Sequence, residues 1–504
     1  MVTSDQLIDV AKRRGFFWQG SAIYGGLAGF YDYAHLGVFL KRRWENLWRK
    51  YFLSLDDNYY EIQPALIMHE NVFKASGHLE SFADPIAKCG KCGNAERADH
   101  ILEAHLKETF EGVSPEDLLK LIKKHGIKCD KCKGEITEVR QFNMMFPLKL
   151  GVGKQEKTGY LTGETAQGAY VNFRQMFEVC RKKLPLGLAI IGKAFRNEIA
   201  PRNALIRMRE LTQAELQIFF DADTIEEHPD FKSVENYKLH LFPFENRKSG
   251  KIEELTCKQT VEKLKLPKFY VYHLAKIQQF YLGVLKLPPE RFRFKQLSDE
   301  EKAFYNKYHW DMEANTNSFG WVELGGLHFR TSHDLSGHQK VSGESMEVNI
   351  EGKSFVPNVL ELSFGVDRNI YNLLDQFYIE EKERTVLAFP RLLCPLDFGL
   401  FPLVNKDGIP EKALDIKTML KDSTLTYSYD DSGSVGRRYR RMDEAGVSLC
   451  ITVDHQTLQD KTVTIRDRDS MKQIRVEIVN LETTLKNIID EKVEFEKAGK
   501  LINR

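Results

Sequence analysis

Apolar and polar positions alternate most clearly around one polar hairpin. Residues 195–220, FRNEIAPRNALIRMRELTQAELQIFF, read as two strands joined by a long arginine-rich loop. Side chains alternate along a strand, so Arg196 and Glu198 are expected on one face, and Leu211, Gln213 and Glu215 on one face of the returning strand. Above that floor Arg202, Arg207 and Arg209 offer planar guanidinium forks, which suit phosphate oxygens better than lysine does. An Arg/Glu-rich hairpin on its own is more often a solvated surface, so the rest of the chain has to decide.

Elsewhere the periodicity changes. Leu40, Trp44, Leu47, Trp48 and Tyr51 recur at helical spacing, which predicts a helix over 39–53 with a packed face. Tyr59-Tyr-Glu-Ile62 predicts a strand leading to Pro64, and a proline suits a sheet edge or an interface because it donates nothing to a ladder. The apolar run 187–194 nearly matches a phosphate loop, but Ala194 stands where a magnesium-binding hydroxyl belongs. Its apolar interior reads as a buried strand. In Pro357-Asn-Val-Leu-Glu-Leu-Ser-Phe-Gly-Val-Asp-Arg368, a strand puts Glu361 and Ser363 on one face, and Gly365 permits a tight exit. A helix marked by Ile370, Leu373, Leu374 and Phe377 follows. Arg368 lies in the first turn of that helix, where the macrodipole disfavours a cation unless an anion is nearby.

These patterns divide the chain. Residues 1–85, 143–220 and 321–384 are expected to form one catalytic core built on a single sheet. Residues 86–142 form an inserted module, 221–320 a largely helical insertion, and 385–504 a separate α/β domain with a mixed sheet. At 504 residues, two or three domains are the natural expectation. A net charge of +1 gives no general pull towards nucleic acid, and no apolar run is long enough for a membrane span. A cytoplasmic protein without a membrane partner is expected.

Of eight cysteines, four fall into Cys89-Gly-Lys-Cys92 and Cys129-Asp-Lys-Cys132, two knuckles of the kind a tetrahedral zinc takes. Four sulfurs leave no position for water, so this site is expected to be structural, with a helical excursion over about 103–124 between the pairs. Glu164, in Leu161-Thr-Gly-Glu-Thr-Ala-Gln-Gly168, reads equally as a helix cap or a site residue. Arg437, Arg438, Tyr439 and Arg440, followed by Arg441, form a basic cluster with an aromatic for stacking on an unpaired base, and Arg466-Asp-Arg468-Asp adds a second.

Phe195-Arg-Asn-Glu198 with its loop, the strand before Pro64 and the strand-helix ending at Arg368 resemble the three signature motifs of class II aminoacyl-tRNA synthetases. Glu-Thr-Ala-Gln-Gly at 164–168, Arg97-Ala-Asp-His100, Trp321-Val-Glu-Leu324 and the run 436–444 narrow the resemblance to the dimeric glycyl-tRNA synthetases, from about Gly15 to the late 470s.

The resemblance implies an α+β fold: an antiparallel sheet with flanking helices, a zinc-knuckle insertion and a C-terminal α/β anticodon-binding domain. It implies a homodimer that takes glycine, ATP, Mg2+ and tRNA(Gly). By it, Arg196 holds the ATP α-phosphate, Glu198 the adenine amino group, and Arg207 and Arg368 the outer phosphates. Glu323 is the carboxylate on the magnesium side, and Asn197, Met208, Leu211 and Leu324 complete the ATP site. Glycine lies among Glu164, Glu215, Arg330, Glu361 and Ser363, with Arg97 as a lid contact. The chain departs from relatives at Thr162-Gly163, where Arg-Pro is usual, at Leu211, where a phenylalanine stacks on adenine, at Leu362, where proline is usual, and at Ala34-His35, where Gly-Pro is usual. An alternative is a non-catalytic relative that keeps the fold as a nucleic-acid-binding subunit, for which the ATP ligands need not be retained.

Overall fold

The computed structural model describes residues 2–502 apart from Lys107, Thr109, Glu111, Arg202 and Phe304. Its centre is a nine-stranded sheet made of β1 (Tyr59–Glu61), β2 (Leu186–Phe195), β3 (Glu210–Phe220), β4 (Lys238–Phe242), β5 (Glu253–Thr256), β6 (Phe292–Gln296), β7 (Tyr308–Thr316), β8 (Gly320–Thr331) and β9 (Asn358–Gly365). Across the sheet the order is β5-β4-β6-β7-β8-β9-β3-β2-β1. Pairing is antiparallel except β1 with β2 and β4 with β6. The strand before Pro64 therefore lies at the edge, as a proline nearby requires, and the 187–194 run is a strand inside the sheet.

Alternation sorts the two faces. Ala214, Leu216, Ile218 and Phe220 of β3, with Leu360, Leu362 and Phe364 of β9, enter the main core. Helix α1 (His35–Phe52) covers that face, with the Trp44, Trp48 and Phe52 rings 6.3, 5.9 and 5.0 Å from the Phe364 ring. Burying each such aromatic is worth roughly 1.5–3 kcal/mol relative to leaving it exposed. Leu362, where proline is usual, is one of these buried apolar positions. On the opposite face Phe219 packs against Phe173 of α2 (Ala166–Val179), 4.5 Å between centroids, and the neighbouring positions Glu215 and Gln217 are polar. Helix α3 (Val366–Gln376) follows β9 directly and buries Ile370, Leu373 and Leu374.

The segment 221–320 is not largely helical. It holds helices Cys257–Leu264 and Lys268–Gln279 but also supplies β4 to β7, four of the nine strands. Its strands are short and carry charges, as in Phe292-Arg-Phe-Lys-Gln296, while the apolar helix Lys268–Gln279 dominates the periodicity.

The cysteine module is a three-stranded antiparallel sheet, Ala95–Arg97, Ala83–Cys89 and Ile136–Asn143, with helices Ala98–Leu106 and Pro115–Lys124. The helical excursion thus starts earlier than 103 and is two helices. After Pro390 a six-stranded sheet mixes parallel and antiparallel pairs, with a core including Leu400, Ile451, Ile465 and Leu485.

Candidate active site

Register builds the site. One row crosses the sheet as Glu215, Ser363, Gly326 and Asp311, the next as Gln217, Glu361, His328 and His309, each residue opposite the next on the adjacent strand. Both rows belong to the sheet face away from the main core, and most of their members line a cavity of about 270 Å³. A register shift after Met312 adds a residue to β8, so Glu323 lines the same cavity as Gly326 and His328, which strict alternation forbids.

Three carboxylates converge at one end. Glu361 accepts from Arg330 Nη1 at 2.8 Å and Gln217 Nε2 at 2.9 Å and is bonded to His328 Nδ1. Burial alone would raise its pKa, but the Arg330 and His328 charges hold it well below the usual carboxylate range. Glu164 caps no helix. It meets Arg330 at 3.3 Å, accepts from Gln167 at 3.0 Å and lies 3.5 Å from His78. Against burial, those cations likewise keep its pKa low. Glu215 differs, because among the described residues no cation pairs with it. Thr165 Oγ1 and Ser363 Oγ donate to its two oxygens at 2.7 and 2.9 Å, while burial and the Glu361 and Glu164 charges push it up to about 8. This end therefore favours an incoming cation.

At the other end sit the arginines. Arg196, just past the end of β2, donates through Nε to Gly163 O at 3.0 Å and stacks over Phe82, 5.3 Å from the ring centroid. Gly163 is tight: a Cβ there would meet Met145 Sδ at 3.1 Å and Phe82 Cε1 at 3.2 Å. Arg207 binds Glu198 at 2.7 Å, so the expected phosphate and adenine ligands hold one another here. Arg368 pairs at 2.8 Å with Glu323, whose carboxylate is the anion its helix-start position requires, and donates through Nε to Ile206 O. Met208 and Leu211 line the cavity.

Some expected residues are elsewhere. Arg97 is bound between Asp84 and Asp99 and does not line the cavity. Asn197 and Leu324 do not line it either. The Asn197 backbone N–H goes to Met144 O, and Leu324 is buried in the core. Arg330 lies behind the wall, 2% exposed, orienting Glu164 and Glu361. Arg209 donates to the carbonyls of Glu198 and Ala28 and braces the loop. Arg202 lies outside the described residues. The sequence reading missed His309, Asp311 and His328. Alternation along β7 was the available signal, but it does not reveal which strand lies opposite.

A Methanococcus maripaludis protein named glycine–tRNA ligase is 34% identical over 96% of this chain and 99% of its own length. One from Pyrococcus abyssi is 38% identical over 96% of this chain and 98% of its own. The chain belongs to the glycine–tRNA ligase family. A family model described as an anticodon binding domain matches residues 397–488. A prolyl-tRNA synthetase from Cryptosporidium parvum, solved with halofuginone and AMPPNP, superposes with a TM-score of 0.56 at 13% identity. It covers 97% of this chain and 77% of the solved one, so the class II synthetase fold is shared.

Outside the cavity, the family member brings Cys89, Cys92, Cys129 and Cys132 together. Cys89 Sγ lies 3.5 Å from Cys132 Sγ, and Cys92 Sγ 3.7 Å from Cys129 Sγ. Tetrahedral zinc with bonds of about 2.3 Å needs sulfurs about 3.8 Å apart, so the four thiols fit it.

The basic cluster is largely spent inside the fold. Arg438 is buried, donating to the carbonyls of Pro402, Asp431 and Gly433. Tyr439 bonds Thr452 at 2.6 Å and carries Arg466 over its ring, so it is no free stacking platform. Arg440 faces Glu383 and Asp443, and Arg441 binds Asp430. Arg466 is buried on Asp443, and Arg468 donates to the carbonyls of Leu387 and Phe389. Of the cluster, Arg437 remains exposed.

Proposed function

We propose that this chain is a glycine–tRNA ligase that joins glycine and ATP into glycyl-adenylate and transfers the glycyl group to the 3′ end of tRNA(Gly). The observation that carries the reading is the cavity itself, with three carboxylates at one end, one of them held without a cation, and Arg196 and Arg368 at the other. An ammonium group at Glu215, flanked by Glu361, Ser363 and Glu164, would leave no room for a side chain on the α-carbon. Every competing amino acid is larger than glycine, so steric exclusion suffices for selectivity.

The glycine carboxylate is already a nucleophile at pH 7 and needs no general base. Its oxygen attacks the α-phosphorus, and the bond to the pyrophosphate oxygen breaks. Arg196 stabilises the charge that builds at that phosphorus, and Arg368 binds the outer phosphates. ATP entry would separate the Arg207–Glu198 pair, freeing Arg207 for phosphate and Glu198 for the adenine amino group. Glu323 would hold the magnesium, which would shield the charge of the departing pyrophosphate. The four cysteines hold zinc.

The anticodon would be read by the C-terminal domain, with the exposed Arg437 among its cations. We further propose a homodimer acting in the cytoplasm. The open edge at β1, with Tyr60 39% exposed, supports a partner there. None of the eight cysteines is paired in a disulfide, as suits a reducing compartment.

Glycine-dependent exchange of labelled pyrophosphate into ATP tests the reading, and no exchange with folded protein and Mg2+ would sink it. Arg196→Ala is expected to lower exchange by about a hundredfold or more, the range seen when a single transition-state donor is removed. A mass of two 58.3 kDa chains in light scattering checks the dimer.

A further inference from the structure

The cavity contains a constellation that the proposed reaction does not use. His309 and Asp311 are two residues apart on β7 and share a face, and His328 stands directly opposite His309 on β8. The imidazole rings are 4.1 Å apart at 74°, His309 Nε2 is 2.9 Å from Asp311 Oδ1, and one nitrogen or oxygen from each of the three side chains lies within 4.8 Å of the others.

We infer that His309, Asp311 and His328 bind a divalent first-row transition ion of the zinc, cobalt or nickel class, with an open coordination position facing the cavity. Two imidazoles and one carboxylate are a donor set for such an ion, whereas magnesium prefers oxygen alone.

The surroundings prepare these ligands. His328 Nδ1 is bonded to the Glu361 carboxylate, so that nitrogen keeps its proton and a bound ion would take the place of the proton on Nε2. A carboxylate behind a metal-bound histidine commonly plays that part. Nε2 then leans over Gly326, where a Cβ would stand only 2.3 Å from it, and Gly326 is the residue opposite Asp311. The missing side chain thus lets the ring reach towards the carboxylate. On the other histidine, Nδ1 is 3.4 Å from the Asn306 amide, and Asn306 Oδ1 is buried with no partner among the described residues. A half-turn of the amide about its Cβ–Cγ bond would present its oxygen to Nδ1–H. With the proton then on Nδ1, His309 Nε2 offers its lone pair to the ion. The ion site does not depend on which amino acid the cavity takes.

Cobalt(II) titration of the metal-free full-length chain in excess Mg2+ tests this. Two equivalents should bind per chain. One should show intense thiolate-to-cobalt absorption from the four cysteines, and the other only weak visible d–d bands. His309→Ala and Asp311→Asn should each weaken the second equivalent at least tenfold and leave the thiolate band, which also reports that the cysteine module is folded. Asp311→Asn is nearly isosteric, so it decides the matter if His309→Ala fails to fold. A single equivalent in the wild type, a second one unaffected by Asp311→Asn, or its displacement by Mg2+ would each overturn the inference.

Discussion

Glu215 is the residue on which the chemistry of the cavity turns. Its carboxyl titrates at about 8 in the folded protein because it is buried and faces Glu361 and Glu164. In the unfolded chain it titrates in the ordinary range near 4.3. The folded state therefore holds this proton more tightly. The associated stability is fully present below the unfolded value and is lost as pH rises through about 8. Glu215→Gln should remove that loss. Urea titrations are expected to show the variant more stable than wild type at pH 8.5, by on the order of 1–3 kcal/mol, and nearly equal at pH 4.5. Exchange activity should disappear at both. Leu211 makes a separate prediction: it lines the cavity, at the position where the family resemblance implies a phenylalanine stacked on adenine. Leu211→Phe should lower the ATP KM about two- to tenfold, the worth of an aromatic contact of about 0.5–1.5 kcal/mol. An unchanged KM would show that adenine does not reach Leu211.

At the scale of elements, the cysteine module is the weak unit. Its core is a small cluster including Ala87, Leu102, Leu118 and Ile122, too little apolar surface to hold a module of this size unaided. The four thiols link its strands to the turn before Ile136. Chelating zinc is expected to abolish amide-exchange protection across 86–142 and to leave β2 and β3 protected, as hydrogen exchange followed by mass spectrometry would show. Loss of protection across the central sheet as well would mean that the module is part of the main core. Legibility also divides by element. The two-residue spacing of Glu361 and Ser363 put both on one face, as observed, because alternation is local. Glu323 and His328 share the cavity only through the irregularity in β8, and four strands passed for helical sequence because short charged strands carry little periodicity.

For the whole molecule, the junction between the N-terminal helix Ser4–Arg14 and helix Val435–Ala445 of the C-terminal domain rests on Glu444, which bonds both Arg13 and Arg14. Arg43 of α1 adds a bond to Asp397 at 2.6 Å. Glu444→Ala leaves two arginines without that partner and should cost about 1–2 kcal/mol at the junction. Pyrophosphate exchange should stay within about twofold of wild type while tRNA charging falls several-fold. An equal fall in both rates would place Glu444 in the support of the active site instead.

The amino-acid sequence by itself determined the family, the order of motifs, the thiol quartet and the carboxylate and arginine types at the site, because these are properties of spacing and side-chain chemistry. Only the tertiary structure decided which charges are available. Arg330, Arg438 and Arg468 look like ligands in a sequence, yet buried carboxylates or carbonyls already occupy them. Sheet register likewise joins His309 to His328 and Glu215 to Ser363. Such pairings depend on strands distant in sequence, and backbone groups that accept hydrogen bonds leave no mark on the identity of the residues that carry them.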